Sequence, residues 1–241
     1  MTTRRKRWLW TACAIVAVGC ALAAGGIWLL LLGRQPAWLA IRWPIDLSQP
    51  LVHLADWRLR ALQSDRALCR LVLKAPYADA VETPDAEAGT DCGWRNSVRL
   101  SSLSGSRIVV DKMTCELTAA MALWIAHDVQ PAAEAIFGER ISSIRHLGGY
   151  ACRKIRGSPA FAHVVSEHAR ANALDIAAFQ LVSGRQVSVL KHWGQEGADG
   201  RFLALIHRRA CKYFRVAIGP AYNAAHRDHF HYDRGIYSAC R

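Results

Sequence analysis

The sequence lacks several patterns that would place a protein in a common functional class. No two of its eight cysteines have the CxxC spacing of a structural zinc site, so we do not assign them to metal. It has no internal repeat and no long low-complexity tract, which excludes a repeat architecture. It has no recognised motif that interleaves basic with aromatic residues, so we expect no nucleic-acid partner despite the net charge of +12.

Charge is absent from residues 8–32, although a basic cluster at residues 4–7 stands directly before them. A helix needs roughly twenty apolar residues to cross a bilayer, so this run predicts one transmembrane signal-anchor. The positive-inside rule keeps the basic flank cytoplasmic and exports everything after Gly33. We therefore expect a single-pass protein of the inner (cytoplasmic) membrane, with its C-terminal domain in the periplasm or outside. A cleaved signal peptide is the alternative, because Ala21-Leu22-Ala23 has the small-x-small pattern of a cleavage site.

The cysteines agree with export, because an even number in an exported domain suggests disulfides. Two cysteines lie inside the apolar run, and the other six are Cys69, Cys92, Cys115, Cys152, Cys211 and Cys240. Six cysteines form three disulfides in any of fifteen pairings, and the sequence does not choose among them. Beyond Gly33 the chain has 27 Lys and Arg against 19 Asp and Glu, or +8. Such a surface is attracted to anionic envelope polymers or lipid head groups, or is simply an ordinary soluble surface.

The chain divides into three parts. Residues 1–33 are the basic flank and signal-anchor, residues 34–50 are a proline-containing connector, and residues 51–241 form one extracytoplasmic domain. Apolar spacing predicts helices over Leu51–Leu73, from Leu117 to Ile125, and from Phe202 to Phe214. Pro131 is expected to stop, kink or restart the second helix. The acidic segment Ala75–Thr90, with two prolines and a glycine, is predicted as a loop.

Two segments predict a β-hairpin. Ala173–Val182 and Gln186–Leu190 read as strands joined across Ser183-Gly184-Arg185. The expected fold class is therefore α+β, a small antiparallel sheet with packed helices, preceded by one N-terminal transmembrane helix. The oligomeric state stays open.

Two clusters of potential metal ligands lie about sixty residues apart, Ser166-Glu167-His168 running on to Asp175, and residues 226–231. On a straight helix His168 and Asp175 would be about 10 Å apart, near the limit for one ion to touch both. We expect instead that His168 lies in a loop and that the chain turns back through Ala171-Asn172 into a strand. We interpret Glu167 as a surface residue and Ser166 as fixing the loop, since no base-orienting triad stands beside it.

In the second cluster, strand alternation places His229, His231 and Asp233 on one face and Asp228 on the other. His231 is then a good ligand, with Asp233 or His229 available to orient it. Asp228 reaches the metal site only if the strand starts after it or bends there.

These residues carry a family resemblance from about Cys69 to Cys240. Its motifs are Gly148-Gly149-Tyr150-Ala151-Cys152-Arg153, Ser166-Glu167-His168-Ala169-Arg170-Ala171-Asn172-Ala173-Leu174-Asp175 and His226-Arg227-Asp228-His229-Phe230-His231. The sequence resembles the extensin-like C-terminal domain family of bacteria. The motifs of that family are similar to those of zinc D-alanyl-D-alanine metallopeptidases, which cut peptidoglycan peptides and share a fold with the Hedgehog signalling domain.

The resemblance implies a site with one zinc ion. His168, Asp175 and His231 would bind the ion, and Asp228 would take the place of the catalytic base. Arg153 would polarise the substrate carbonyl, with His229 as a second candidate for that role. In two positions the sequence departs from the metallopeptidase pattern, because Ala171 replaces a glycine and Asp228 is one methylene shorter than the usual Glu.

Two functions remain open at this stage. The first is a membrane-anchored zinc hydrolase that cleaves peptide bonds in peptidoglycan as a carboxypeptidase or endopeptidase. The second is a non-catalytic wall-binding or scaffold protein that keeps the metallopeptidase-like fold.

Overall fold

The computed structural model describes residues 3–31, 37–51, 56–89, 91–157 and 159–241, in two compact units, Met1–Trp43 and Pro44–Arg241. The first unit contains helices α1 (Thr3–Leu31) and α2 (Ala37–Arg42). Within α1, Trp10–Trp28 is long and apolar enough to cross a membrane. This helix could anchor the chain in a membrane, and a signal sequence would have the same length and composition. The predicted end of the apolar run, Leu32 and Gly33, lies outside the described residues.

The second unit combines helices with a large sheet. Its helices are α3 (Asp56–Ala61), α4 (Arg66–Val72), α5 (Cys115–Trp124), α6 (Gln130–Phe137), α7 (Val189–His192) and α8 (Ala198–Ala210). Its strands are β1 (Ala78–Glu82), β2 (Ala86–Ala88), β3 (Cys92–Trp94), β4 (Ser97–Leu103), β5 (Ser106–Thr114), β6 (Ile141–Gly148), β7 (Ala173–Leu181), β8 (Gln186–Ser188), β9 (Val216–Ile218), β10 (Phe230–Asp233) and β11 (Ala239–Cys240). The α+β class is confirmed.

The main sheet has nine strands in the order β1-β4-β5-β6-β7-β10-β9-β11, with β8 paired to β7. Its pairs are antiparallel except β5–β6 and β9–β11, which are parallel. Strands β2 and β3 form a separate two-stranded sheet. The sheet is larger than the sequence indicates, because strands as short as β9 and β11 are too brief to show a period of two.

Helix α5 is the centre of the core, and each of its residues is buried. It begins at the cap residue Thr114, whose side chain accepts a hydrogen bond from Leu117 N, and it contacts β4 and β5. Trp124, near its end, packs edge-on against Phe179, Phe214 and Tyr232, so it joins helix and sheet.

The helical conformation does not end at Pro131. It continues from α5 through a five-residue π-helical segment, Ile125–Val129, into α6, where Pro131 occupies the first turn. Gln130 N donates to Ile125 O, five residues back, and Pro131 needs no such partner because it has no N–H, so the wider π-helical turn accommodates it. Gly138, in the left-handed conformation with φ 70°, ends α6.

The prediction of a loop over Ala75–Thr90 is wrong, because this segment contains β1 and β2. Its prolines and acids obscured the strand pattern, but β1 alternates in burial and pairs along β4. The predicted hairpin is confirmed as β7 and β8. The helix expected over Leu51–Leu73 is divided into α3 and α4, and residues 52–55 lie outside the described part.

All six cysteines of the second unit are paired, which confirms the predicted number of disulfides. The pairs are Cys69–Cys115, Cys92–Cys152 and Cys211–Cys240. The first ties α4 to α5, the second ties β3 to the segment after β6, and the third ties the end of α8 to β11.

Candidate metal centre

His168 lies in a short 3-10 helix, Glu167–Arg170, that leads into β7. The Ser166 hydroxyl caps this turn by accepting a hydrogen bond from His168 N at 3.4 Å. Ala171 ends the turn in the left-handed region with φ 54°. The chain therefore reverses at Ala171 and enters the sheet, as the sequence predicted, and Asp175 is the third residue of β7.

Ala171 adopts a left-handed backbone conformation that glycine adopts more easily. A glycine adopts positive φ without steric cost, whereas an alanine in this region costs roughly 1 kcal/mol or more. The turn nevertheless forms, and the Ala171 side chain is fully buried. An alanine at this position is therefore compatible with the turn that brings His168 to the start of β7.

His231 reaches the same point from the neighbouring strand. In the antiparallel pair β7–β10 it lies directly opposite Asp175. The Asp175 Oδ1 atom is 3.2 Å from His168 Nε2 and 2.9 Å from His231 Nδ1, and the two nitrogens are 3.2 Å apart. The three residues predicted as metal ligands are thus brought together, and all are largely buried.

In each imidazole, the nitrogen that faces away from Asp175 donates a hydrogen bond, and this bond fixes the tautomer. His168 Nδ1–H donates to the Gly149 carbonyl at 2.6 Å, and His231 Nε2–H donates to Asp233 Oδ2 at 3.0 Å. Both remaining nitrogens point their lone pairs at Asp175 Oδ1. Three electron-rich atoms at such distances repel one another unless a cation, either a proton or a metal ion, lies among them.

In the metal-free protein a proton supplies that charge. Burial lowers the pKa of the His231 imidazole, but hydrogen bonds to Asp175 and Asp233 outweigh it and raise the pKa to about 9. Burial would raise the pKa of Asp175, yet its close contacts with the His168 and His231 rings hold it well below its usual range. His231 is therefore an imidazolium at neutral pH, and a metal ion would displace its Nδ1 proton.

The donor set fits zinc. Catalytic zinc sites use three His or carboxylate ligands and leave a fourth position open, and zinc–nitrogen bonds of about 2.0 Å give tetrahedral edges of about 3.3 Å. The three donor atoms are already near that spacing. Asp233 and the Gly149 carbonyl supply the outer hydrogen bonds that such ligands need.

A cavity of 490 Å³ opens on the three ligands. Arg153 lines it, and within the described part of the chain its guanidinium donates to the Lys154 carbonyl at 3.3 Å. Partial burial lowers the pKa of Arg153, the charge of Asp175 raises it and the charge of Arg156 lowers it. Two hydrogen bonds, Ala151 N to His168 O and Ser166 N to Arg153 O, hold the Arg153 segment beside the His168 turn.

Asp228 is not among the described residues that line this cavity. Strand β10 starts at Phe230, after Asp228, and the Asp228 carboxylate accepts a hydrogen bond from His229 Nδ1 at 2.8 Å. This bond lowers the pKa of Asp228. His229 does line the cavity, and its Nε2 atom is 3.7 Å from Asp175 Oδ1. The structure thus places His229 between Asp228 and the ligands.

Sequence reasoning included His226 in the second cluster without an individual role, and it placed Glu167 at the surface. His226 lines the cavity, and its ring packs 5.2 Å from that of His229. Burial and the neighbouring histidine charges lower its pKa to about 4. Glu167 is not a surface residue, because its side chain is only 13% exposed and accepts a hydrogen bond from Asn172. Gly235 allows this close packing, since a Cβ there would lie 2.7 Å from Glu167 Cγ.

The fold and the site together define an α+β domain with a candidate metal centre in a cavity at the edge of β7 and β10. The chain belongs to the extensin-like protein C-terminus family, whose model matches residues 67–241. No curated protein and no solved structure matches the chain. The comparisons do not extend to metallopeptidases, so that similarity stays a prediction.

Proposed function

We propose that the protein is a membrane-anchored zinc-dependent hydrolase that cleaves peptide bonds in peptidoglycan, as a D-alanyl-D-alanine-type carboxypeptidase or an endopeptidase. The observation that carries the proposal is the convergence of His168, Asp175 and His231 on one point in an open cavity. The helix α1 would hold it in the inner membrane, with the second unit in the periplasm or outside.

A bound zinc ion would supply Lewis acidity, which polarises a carbonyl oxygen and acidifies a water molecule. His229 Nε2 lies 3.7 Å from Asp175 Oδ1, and Asp228 fixes the His229 ring through Nδ1, so that Nε2 can accept a proton. Arg153 is a permanent donor in the cavity wall and would stabilise negative charge on the substrate oxygen. Asp228 then acts through His229 as a positioning residue.

The cavity suits a peptide. Its apolar walls include Ile155, Phe161, Val165, Ile218 and Tyr237. Arg153 and Arg156 add two cations, which would attract the carboxylates of wall peptides. Apolar walls with a few placed polar groups are typical of small-ligand sites.

The alternative is a non-catalytic wall-binding or scaffold protein. The exposed Asp228 carboxylate, which faces His229 rather than the cavity, favours this alternative. Such a protein would bind the metal and wall peptides without turnover.

The deciding experiment measures zinc content and muropeptide release together. The native protein would be compared with His168→Ala, Asp228→Ala and His229→Ala variants, all with disulfides intact. We expect His168→Ala to lose zinc and cleavage, and His229→Ala to keep zinc while kcat falls by about a hundredfold or more. Asp228→Ala should also keep zinc and lose less activity than His229→Ala.

Two other outcomes would count against the hydrolase or against the metal site. Zinc without cleavage in the native protein would favour the scaffold alternative. A native protein that binds no zinc would overturn the metal site itself.

A further inference from the structure

A second cavity, of 340 Å³, lies on the sheet surface away from the metal ligands. It is lined by Arg107, Ile108, Val109, Ser143, Ile144, Arg145, His146, Ala178, Gln180 and Gln186. No acidic residue is among these described lining residues. The wall therefore combines two permanent cations with neutral polar groups.

The strand register places the two arginines together. Arg107 of β5 lies opposite Ser143 of β6 in a parallel pair, and Arg145 is two residues further along β6. Strand spacing and rise put the Cα atoms of Arg107 and Arg145 about 8 Å apart, so both guanidiniums can reach one ligand. Both side chains are exposed, and within the described part of the chain neither has an acidic partner.

The groups around the arginines are fixed. Ser143 Oγ donates to Gln180 Oε1 at 2.9 Å, and His146 Nε2 donates to the Val109 carbonyl at 2.7 Å. Among the described residues His146 Nδ1 has no hydrogen-bond partner, but it is an acceptor, so the two arginines supply the donors that face the cavity.

We propose that this cavity binds the phosphate group of an anionic envelope component, either a lipid head group or a polymer phosphate. Guanidinium forks pair with phosphate oxygens in a bidentate manner, and two arginines supply enough positive charge for either a phosphate monoester or a phosphate diester. Ala178 and Gln180 belong to the same strand as Asp175, so the ligand would lie about 10 Å along β7 from the metal centre. The inference does not depend on the proposed hydrolase.

The test is calorimetric titration of the full-length protein in neutral detergent micelles at low ionic strength. The probes are inorganic phosphate, short-chain phosphatidylglycerol and, as a neutral control, short-chain phosphatidylcholine. The variant is Arg107→Gln/Arg145→Gln. The matched control is Arg201→Gln/Arg208→Gln, which removes the same charge from two exposed arginines of α8 that form no ion pair among the described residues.

We expect saturable binding in the native protein and the control, and at least about tenfold weaker binding in Arg107→Gln/Arg145→Gln. A second variant, Arg107→Lys/Arg145→Lys, keeps the charge but loses the fork and should also bind more weakly. Binding of phosphatidylglycerol alone would identify a lipid source, whereas binding of inorganic phosphate would support a polymer phosphate.

Three results would overturn the proposal. The first is a native protein that binds neither phosphate probe. The second is an equal loss in both Gln double variants, which would indicate only a general electrostatic field. The third is displacement of phosphate by acetate at equal concentration, which would refute the phosphate assignment.

Discussion

At the residue scale, protonation of His231 would make the proposed metal binding depend on pH. Its pKa of about 9 in the metal-free fold lies above the usual 6.5, so the ring holds a proton at neutral pH that the metal must displace. We expect the apparent zinc affinity to fall by up to about tenfold for each unit as pH drops below 9. Competition with a chelator of known pH dependence, between pH 7 and 9.5, would measure this.

Asp233→Asn provides the control for that competition. Removing the charge of Asp233 takes away one of the contacts that raise the pKa of His231, so the pH dependence should begin at a lower pH. The affinity itself should fall about tenfold or more, because Asp233 fixes the tautomer of a ligand. A zinc affinity that stays constant between pH 7 and 9 would contradict the prediction.

At the element scale, an ionic cluster ties α3 to the strand that carries His231. Asp56, in the first turn of α3, is 2.7 Å from Arg234 Nη1 and 2.8 Å from Arg215 Nη2. Arg234 directly follows Asp233, and Arg215 N donates to the Asp233 carbonyl at 2.9 Å. Asp56 therefore supports the residue that follows Asp233 and the residue whose N–H bonds to the Asp233 carbonyl. It lies outside the part of the chain that the family model matches.

We predict that Asp56→Asn weakens zinc binding by about tenfold, since it loosens an outer support of a ligand. The matched control is Asp199→Asn, which removes a partly buried carboxylate paired with Arg185 and His192 rather than with residues near the site. Chelator competition on both variants, with thermal unfolding to compare their stability, makes the test. Equal zinc affinities in the two variants would show that the cluster serves only stability.

The elements that the sequence predicted are those with strong local signals. The hairpin and the reversal at Ala171-Asn172 were predictable because turn residues interrupt alternating or apolar runs, and this sufficed to bring His168 near Asp175. Strand alternation correctly placed His231 beside Asp233, but it extended the strand back to His229, whereas β10 starts at Phe230. Outside a strand, side-chain direction depends on tertiary contacts, so the Asp228–His229 bond was not predictable.

The disulfide pairing and the burial of Glu167 depend on tertiary contacts, which no local sequence pattern indicates. The pairing of six cysteines depends on which elements pack together. The burial of Glu167 depends on Gly235, which is distant in sequence and leaves room for its side chain. No pattern in the sequence indicates that Glu167 and Gly235 pack against each other.

At the scale of the whole molecule, Cys92–Cys152 links the small two-stranded sheet to the wall of the metal cavity. It closes a separation of 60 residues, for which chain entropy predicts about 4 kcal/mol of stabilisation. Because Arg153 follows Cys152, we expect Cys92→Ser/Cys152→Ser to weaken substrate binding in addition to lowering the unfolding temperature. Cys69→Ser/Cys115→Ser, whose cysteines adjoin none of the described residues that line this cavity, should lower stability with a smaller effect on binding. Thermal unfolding and KM, measured on both variants, would separate the two effects.

The division into two units predicts that the membrane helix and the metal centre can be separated. All residues that form the centre, and Asp56 that supports it, lie in Pro44–Arg241. A chain that starts at Pro44 should therefore move from the membrane fraction to the soluble fraction and bind zinc with unchanged affinity. A chain that starts at Arg66 lacks α3, and it should be soluble but bind zinc more weakly, as predicted for Asp56→Asn. Fractionation followed by zinc titration of both chains makes the test, and equal affinities in the two would refute the role assigned to α3.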